Sequence, residues 1–349
     1  MFVAWRDLLH AKGRFALMGS VIVLITLLVG LLSGLTAGLG RQNVSAITGL
    51  PADHIVFAQG VSYADSAVTE AQWRQWAATP GVTSAEPLGI TTTKAIAGDR
   101  SAGVSVFGVR TGSALAPGLA ENSVVLSTVA ARDLGIGPGD NLVLAGRRLT
   151  VVAVSGDASF SHTPVIWTTL DVWRATAPPT DAMATVVALT TSGVDIAATD
   201  QAAGTTTVTK DESLSAIGSY TSENGSLQLM RGFLFVISAL VIGAFFTVWT
   251  VQRSADIAVL KALGATTAEL LKDALGQAVL LLAGGTLIGT GLAAALGAAL
   301  DGSAIPFVLT PGTVLVPAAV TIGLGLLGAG LAVRRITSVD PLTALGSAR

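Results

Sequence analysis

Four stretches of the chain run without a single charged residue for as long as a bilayer crossing requires, and the remaining sequence is arranged around them. They extend from Phe15 to Leu39, Gly232 to Gln252, Ala274 to Leu300 and Gly302 to Val333. A crossing helix needs about 20 largely apolar residues to span roughly 30 Å of hydrocarbon. The last stretch contains Pro306, Pro311 and Pro317, which places its membrane portion at 314–333 and leaves 301–313 as an outer loop. Arg6, Lys12 and Arg14 precede the first stretch as they would a signal peptide, and Ser33-Gly34-Leu35-Thr36-Ala37 offers small residues for cleavage. Its length exceeds a secretory apolar core, so a retained span is expected.

Between the first two stretches the pattern changes to short apolar runs separated by Gly, Pro and Asp turns. Thr69 is placed to cap a helix through Trp73 and Trp76 that stops at Pro80-Gly81, and Ser127 another through Ala131 that ends at Gly135. Gly137-Pro138-Gly139-Asp140 reads as a turn, followed by a hairpin with Ala145-Gly146-Arg147 between Leu142-Val143-Leu144 and the run from Leu149 to Val154. Trp73 and Trp76, three apart on one helix, are read as core packing.

The fold class expected is therefore an α-helical membrane protein with four transmembrane helices and a mixed α+β extracytoplasmic domain inserted between helices 1 and 2. In order, the segments are a cytoplasmic amphipathic segment (1–14), helix 1 (15–39), the extracytoplasmic domain (40–209), an outer stalk (210–231) and helix 2 (232–252). A cytoplasmic segment (253–269), helix 3 (270–300), the outer loop (301–313), helix 4 (314–333) and a cytoplasmic tail (334–349) complete the chain.

Composition agrees with this reading: 51% of the 349 residues are hydrophobic and 12% charged, and the mean hydropathy is +0.68, too apolar for an ordinary soluble globule. The formal net charge of −2 and the lack of any Lys/Arg block exclude a nucleic-acid patch. With no cysteine, disulfides, thiolate metal sites, iron–sulfur clusters and cysteine nucleophiles are excluded together. The forty glycines are read as compositional bias. Cations in short segments beside the spans set the orientation. Arg6, Lys12 and Arg14, then Arg253, Lys261 and Lys272, then Arg334, Arg335 and Arg349 fall on one side, against only Asp301 between spans three and four. Both termini are expected in the cytoplasm of a bacterium, with the chain multi-pass in its plasma membrane.

The four uncharged stretches hold no ionisable group of the kind an ion-coupled transporter uses near the midplane. No G-x-x-x-x-G-K-[ST] loop occurs either, so ATP must be bound by another polypeptide. His54 and His162 are the only histidines of the inserted domain; neither has a His or carboxylate cluster near it in sequence, which argues against a zinc site or catalytic base. Ser155 to Ser161 lacks a nucleophile elbow. The chain is expected not to be an enzyme and to have no intrinsic cofactor.

After the second stretch comes Arg253-Ser254-Ala255-Asp256-Ile257-Ala258-Val259-Leu260-Lys261-Ala262-Leu263-Gly264-Ala265. Ser254 suits a helix start, Asp256 its positive first turn, Lys261 its negative last turn and Gly264 the position just past its end. Thr266 and Glu269 then have capping-box spacing for the next helix. The run Arg-x-x-Asp-Ile-x-x-Leu-Lys-Ala-Leu-Gly-Ala resembles the corresponding element of the FtsX/MacB-like ABC transporter permeases. Asp256 stands where Glu is commoner. The tail Arg334-Arg335, then Val339-Asp340-Pro341-Leu342-Thr343-Ala344-Leu345, resembles the family's closing motif, with Gly346 where a basic residue is common, and Ala4 to Arg14 resembles its amphipathic lead-in.

The resemblance covers the whole topology and implies that Arg253, Asp256, Ile257, Leu260, Lys261 and Gly264 dock on a separate ABC-type ATPase, with the permease a homodimer in the lipid bilayer. Within the family the sequence resembles haem-exporter permeases, which implies haem as transported substrate. Haem iron accepts Met, Tyr or His axially, and a carboxylate more weakly. With no outer-leaflet His evident beside a span, the candidates are Met230, Glu223 and Tyr220, with Arg231 for a propionate. Glu223 and Met230 share a helix face but stand about 10 Å apart along a straight helix. Either Asn224-Gly225 breaks the helix, or ligands come from two protomers, or only one residue meets iron. Met18, near the other end of span one, is a poor partner for Met230. Two further readings stay open: a non-transporting regulator that activates an extracellular cell-wall hydrolase, and a membrane sensor with no ATPase.

Overall fold

A computed structural model describes residues 12–177, 181–252, 259, 263–300, 303 and 305–337. They form two compact units, one of residues 39–225 and one that combines the chain up to residue 38 with the chain from residue 226.

Among the described residues four helices are long and apolar enough to cross a membrane: α1 (Lys12–Thr48), α6 (Tyr220–Gln252), α7 (Thr267–Ala299) and α8 (Pro311–Thr337). Thr266 and Glu269 make the reciprocal capping box that begins α7, so two orphan amides of its first turn are satisfied. Pro311 is the first residue of α8, where its missing N–H is no loss. Pro317 lies inside that helix.

Met18 and Ile22 of α1, Ile242, Phe246 and Trp249 of α6, Ala278 and Leu282 of α7 and Ala329 of α8 make one buried cluster. Lipid is as apolar as these side chains, so close backbone approach, rather than water exclusion, holds such helices together. The glycines supply it. Gly30, Gly34 and Gly38 repeat every fourth residue on α1, as do Gly285, Gly289, Ala293 and Gly297 on α7. A methyl group added at Gly285 would lie 2.6 Å from Ile22, and one at Gly289 2.6 Å from the Val23 carbonyl oxygen. At Gly30 it would meet the Ala293 methyl at 2.9 Å. The Phe307 ring fills the gap between Gly34 and Gly297, the Pro306 carbonyl lies against Gly38, and the Val308 amide donates to the Gly34 carbonyl at 3.1 Å.

The inserted unit is a ten-stranded sheet with helices α2 (Glu70–Ala78), α3 (Thr128–Leu134), α4 (Leu170–Thr176) and α5 (Ile196–Ala203). Its strands are β1 (His54–Phe57), β2 (Val82–Ala97), β3 (Arg100–Val109), β4 (Ser123–Leu126), β5 (Asn141–Leu144), β6 (Arg147–Val154), β7 (Ser159–Phe160), β8 (Thr163–Thr169), β9 (Val186–Thr191) and β10 (Thr206–Thr209). The order is β10-β1-β9-β2-β3-β8-β4-β6-β5, with β7 on β8. The first half of β2 pairs with β9, and its second half with β3. Strand β5 returns to β2 through Ala95↔Leu144 and Ile96↔Val143, which closes the second half of the sheet on itself. Inside that closed half Val104, Leu126, Leu144, Leu149 and Ile166 are buried with Trp173 of α4.

Local sequence signals account for these elements. Thr69 and Gln72 form a capping box at α2, and Trp76 is fully buried with Nε1 3.1 Å from the Thr205 hydroxyl. Ser127 caps α3, and Gly135 ends it in the left-handed region at φ 67°. Ala145 and Gly146, at φ 47° and 76°, make the tight β5–β6 turn in which both central residues need positive φ.

Candidate functional site

Three segments of the inserted unit converge on one carboxylate. The first is the far end of α1. The second is the β7–β8 hairpin, whose two-residue tip, Ser161-His162, has φ 48° and 63°. Neither residue is glycine, so the tip is held against intrinsic preference, and such strain persists only where the surroundings over-determine it. Phe160 is buried edge-on against Tyr63 and Phe107, at ring distances of 5.4 and 5.6 Å. Burial pushes the Tyr63 phenol above its ordinary value despite a hydrogen bond with Ser213. The tip's own amides donate to α1: Ser161 to the Asn43 carbonyl at 3.0 Å and His162 to that of Gln42 at 3.1 Å. The Ser159 amide donates to the Ser45 hydroxyl at 2.9 Å, and Arg41 pairs with Asp157 at 2.9 Å.

The third segment is the first turn of α6, which carries Glu223. An acidic residue is favoured there by the helix dipole. Its Oε2 lies 2.7 Å from His162 Nε2 and accepts from Asn43 Nδ2 at 2.9 Å, while the Ser219 side chain also bonds the carboxylate. Asn43 is buried, and its own Oδ1 has no partner. A buried unpaired acceptor costs about 1–3 kcal/mol; the amide orientation is thus set by what its N–H reaches, a charge-assisted bond to Glu223.

In sequence His162 has no carboxylate cluster near it; the structure sets it 2.7 Å from Glu223 in the first turn of α6. The proposed break at Asn224-Gly225 is absent, because α6 is continuous from Tyr220 to Gln252. Tyr220 is half-buried and packs against the core that contains Ile217 and Phe160. Further along α6, Met230 is 46% exposed, and the Arg231 guanidinium lies 5.9 Å from the Phe235 ring centre. Met18, by contrast, is buried in the helix cluster. Among the described residues no group of three or more His, Asp or Glu could hold a metal ion. Of the residues expected to dock on an ATPase, Arg253, Asp256, Ile257, Leu260 and Lys261 lie outside the described residues. Gly264 is described and has φ 97°, the left-handed conformation that a helix-ending glycine adopts, and Leu263 beside it is 79% exposed.

Residues 15–206 match the family model of the MacB-like periplasmic core domain, and residues 229–341 that of the FtsX-like permease C-terminal region. Among curated proteins the chain is similar, at 26% identity over 99% of both chains, to one from Staphylococcus haemolyticus named as a hemin transport system permease, HrtB. A protein of the same name from Staphylococcus epidermidis is 32% identical over 41% of each chain. An uncharacterized ABC transporter permease of Mycobacterium bovis is 24% identical over 99% of both.

Proposed function

Because the chain belongs to the FtsX/MacB-like permeases of ABC transporters, multi-pass membrane subunits that act with an ATPase, we propose that it expels haem or a related amphiphile from the membrane. The observation that carries the substrate is the full-length similarity to a protein named for hemin transport. Glu223, Met230 and Arg231 give the reading its chemistry: a thioether can meet haem iron, a carboxylate binds iron in non-haem sites, and a guanidinium suits a propionate. On the unbroken α6 a seven-residue separation is about 10 Å of rise, so one iron takes at most one of Glu223 and Met230 from a single protomer, the other coming from the partner of a homodimer or serving elsewhere.

In this reading both termini are cytoplasmic and the inserted domain is outside. The partner ATPase docks at Arg253, Asp256, Ile257, Leu260, Lys261 and Gly264, and its closure is transmitted mechanically to the outer end of the spans. No cofactor is intrinsic: haem is cargo, and ATP belongs to the partner. The test is a hemin titration of the purified permease–ATPase complex, with Met230→Ala and Glu223→Gln made singly. Spectra that both variants leave unchanged refute the site. A second reading, an FtsX-like regulator of a cell-wall hydrolase, draws on the C-terminal match at residues 229–341. It requires capture of a hydrolase by the inserted domain and no hemin spectrum.

A further inference from the structure

Besides the Ser219 side chain just before its own helix, the Glu223 carboxylate is gripped by groups from two other segments. His162 and Asn43 both address Oε2, at 2.7 and 2.9 Å. They come from a strained hairpin tip and from a buried position on α1, 61 and 180 residues away in sequence. The ion pair that joins these segments among the described residues, Arg41 with Asp157, is satisfied within itself. Neither member is left to answer Glu223. The His162 side chain is 36% exposed and that of Glu223 39%, so the pair is open to a ligand from one side while its orientation is fixed from the other.

We infer that His162 and Asn43 are positioning residues for Glu223, which hold its Oε2 and so fix the orientation in which the carboxylate meets the metal of a metalloporphyrin. The inference rests on the export reading above and names the groups that set cargo affinity at that site. Its physical basis is the behaviour of ligating carboxylates. One that is hydrogen-bonded by its neighbours is held in a single orientation, and loss of such a neighbour typically weakens metal binding about 10- to 100-fold. Because the bond is to Nε2, the carboxylate also fixes the imidazole tautomer. The effect should therefore depend on the metal. A metal-free porphyrin with the same ring and propionates makes no bond to Glu223 and should not register the change.

The experiment titrates hemin and, separately, protoporphyrin IX into the full-length permease in detergent. The variants are His162→Asn, His162→Gln, Glu223→Gln and the double variant His162→Asn/Glu223→Gln. Asn tolerates the left-handed backbone at this position but is too short to hold the carboxylate, whereas Gln retains a longer amide donor. Expected are a roughly tenfold or greater loss of hemin affinity in His162→Asn, partial rescue in His162→Gln, and no further loss when His162→Asn is added to Glu223→Gln. Protoporphyrin IX affinity should be unchanged throughout. The inference is overturned if His162→Asn binds hemin as the parent does, if it weakens the metal-free porphyrin equally, or if its loss is undiminished without the Glu223 carboxylate, which would make His162 a ligand in its own right. A parent protein that does not bind hemin refutes the cargo reading, and this inference with it. That outcome is distinct from a parent that binds and a variant that is indifferent.

Discussion

A methyl group at Gly289 tests the packing of the membrane helices more directly than any change of charge. In Gly289→Ala the new carbon would lie 2.6 Å from the Val23 carbonyl oxygen and 2.8 Å from Thr26 Cβ. The first of these is backbone and cannot swing aside. Restoring an ordinary separation of about 3.5 Å requires α1 and α7 to part by about 1 Å, and a gap of that size forfeits about a quarter to a half of each contact's attraction. The contacts of Gly285 with Ile22 and of Gly30 with Ala293 lie one turn to either side and would open with it, so the loss should be about 1–3 kcal/mol. Gly291→Ala is the matched control. It lies on the same helix, exposed, with nothing within 4 Å of the added carbon. Both variants share any gain in helix propensity, at most about 1 kcal/mol, so their difference isolates the packing. Thermal unfolding of the full-length chain in mild detergent should show Gly289→Ala melting several degrees below Gly291→Ala, at about 2–4 °C per kcal/mol. Equal melting points would refute the reasoning.

Three other outcomes are expected, two from the structure and one from the proposed docking role. Trp76→Ala removes a fully buried ring and its bond to Thr205, and should destabilise the inserted unit by about 3–5 kcal/mol, measured by near-ultraviolet dichroism against temperature. Glu212 is held below the usual carboxylate range by hydrogen bonds from the Thr209 hydroxyl and amide. Its contribution is thus present above that range and is lost as pH falls through the depressed value. Thr209→Val should move the carboxyl back up in an NMR titration, and an unmoved carboxyl would contradict the assignment. Leu260→Asp should abolish permease-stimulated ATP hydrolysis while the chain still inserts; unchanged stimulation would remove residues 253–264 from the docking role.

Much of the fold was legible because its signals are local. Thr69 with Gln72, Thr266 with Glu269, Ser127 with Gly135, and the Ala145-Gly146 turn each lie within a few residues of what they specify, and the four spans declare themselves by length alone. The carboxylate grip was not legible. Its members stand 61 and 180 positions apart, and the tip that delivers His162 is Ser161-His162, without the Gly or Asn that normally marks a turn of this kind. Phe160, whose burial fixes the tip, reads in sequence as one more apolar residue in a serine-rich loop. The glycines misled for a different reason. Counted as composition they say little, whereas their fourfold spacing on α1 and α7 matters only once the two helices are known to face each other.

The sixteen-residue strand β2 serves β9 with one half and β3 and β5 with the other, so it acts as a ruler for the inserted unit. Side chains alternate between faces along any strand, and a shift of one residue inverts every position beyond it. A single residue inserted between Leu88 and Gly89 would leave the β9 half in phase and turn the β3 half inside out, exchanging Ala95 and Ala97, which are buried, for Lys94 and Ile96, which are exposed. Insertions that the surrounding turns could absorb are therefore forbidden here. The length of this strand should vary only in steps of two.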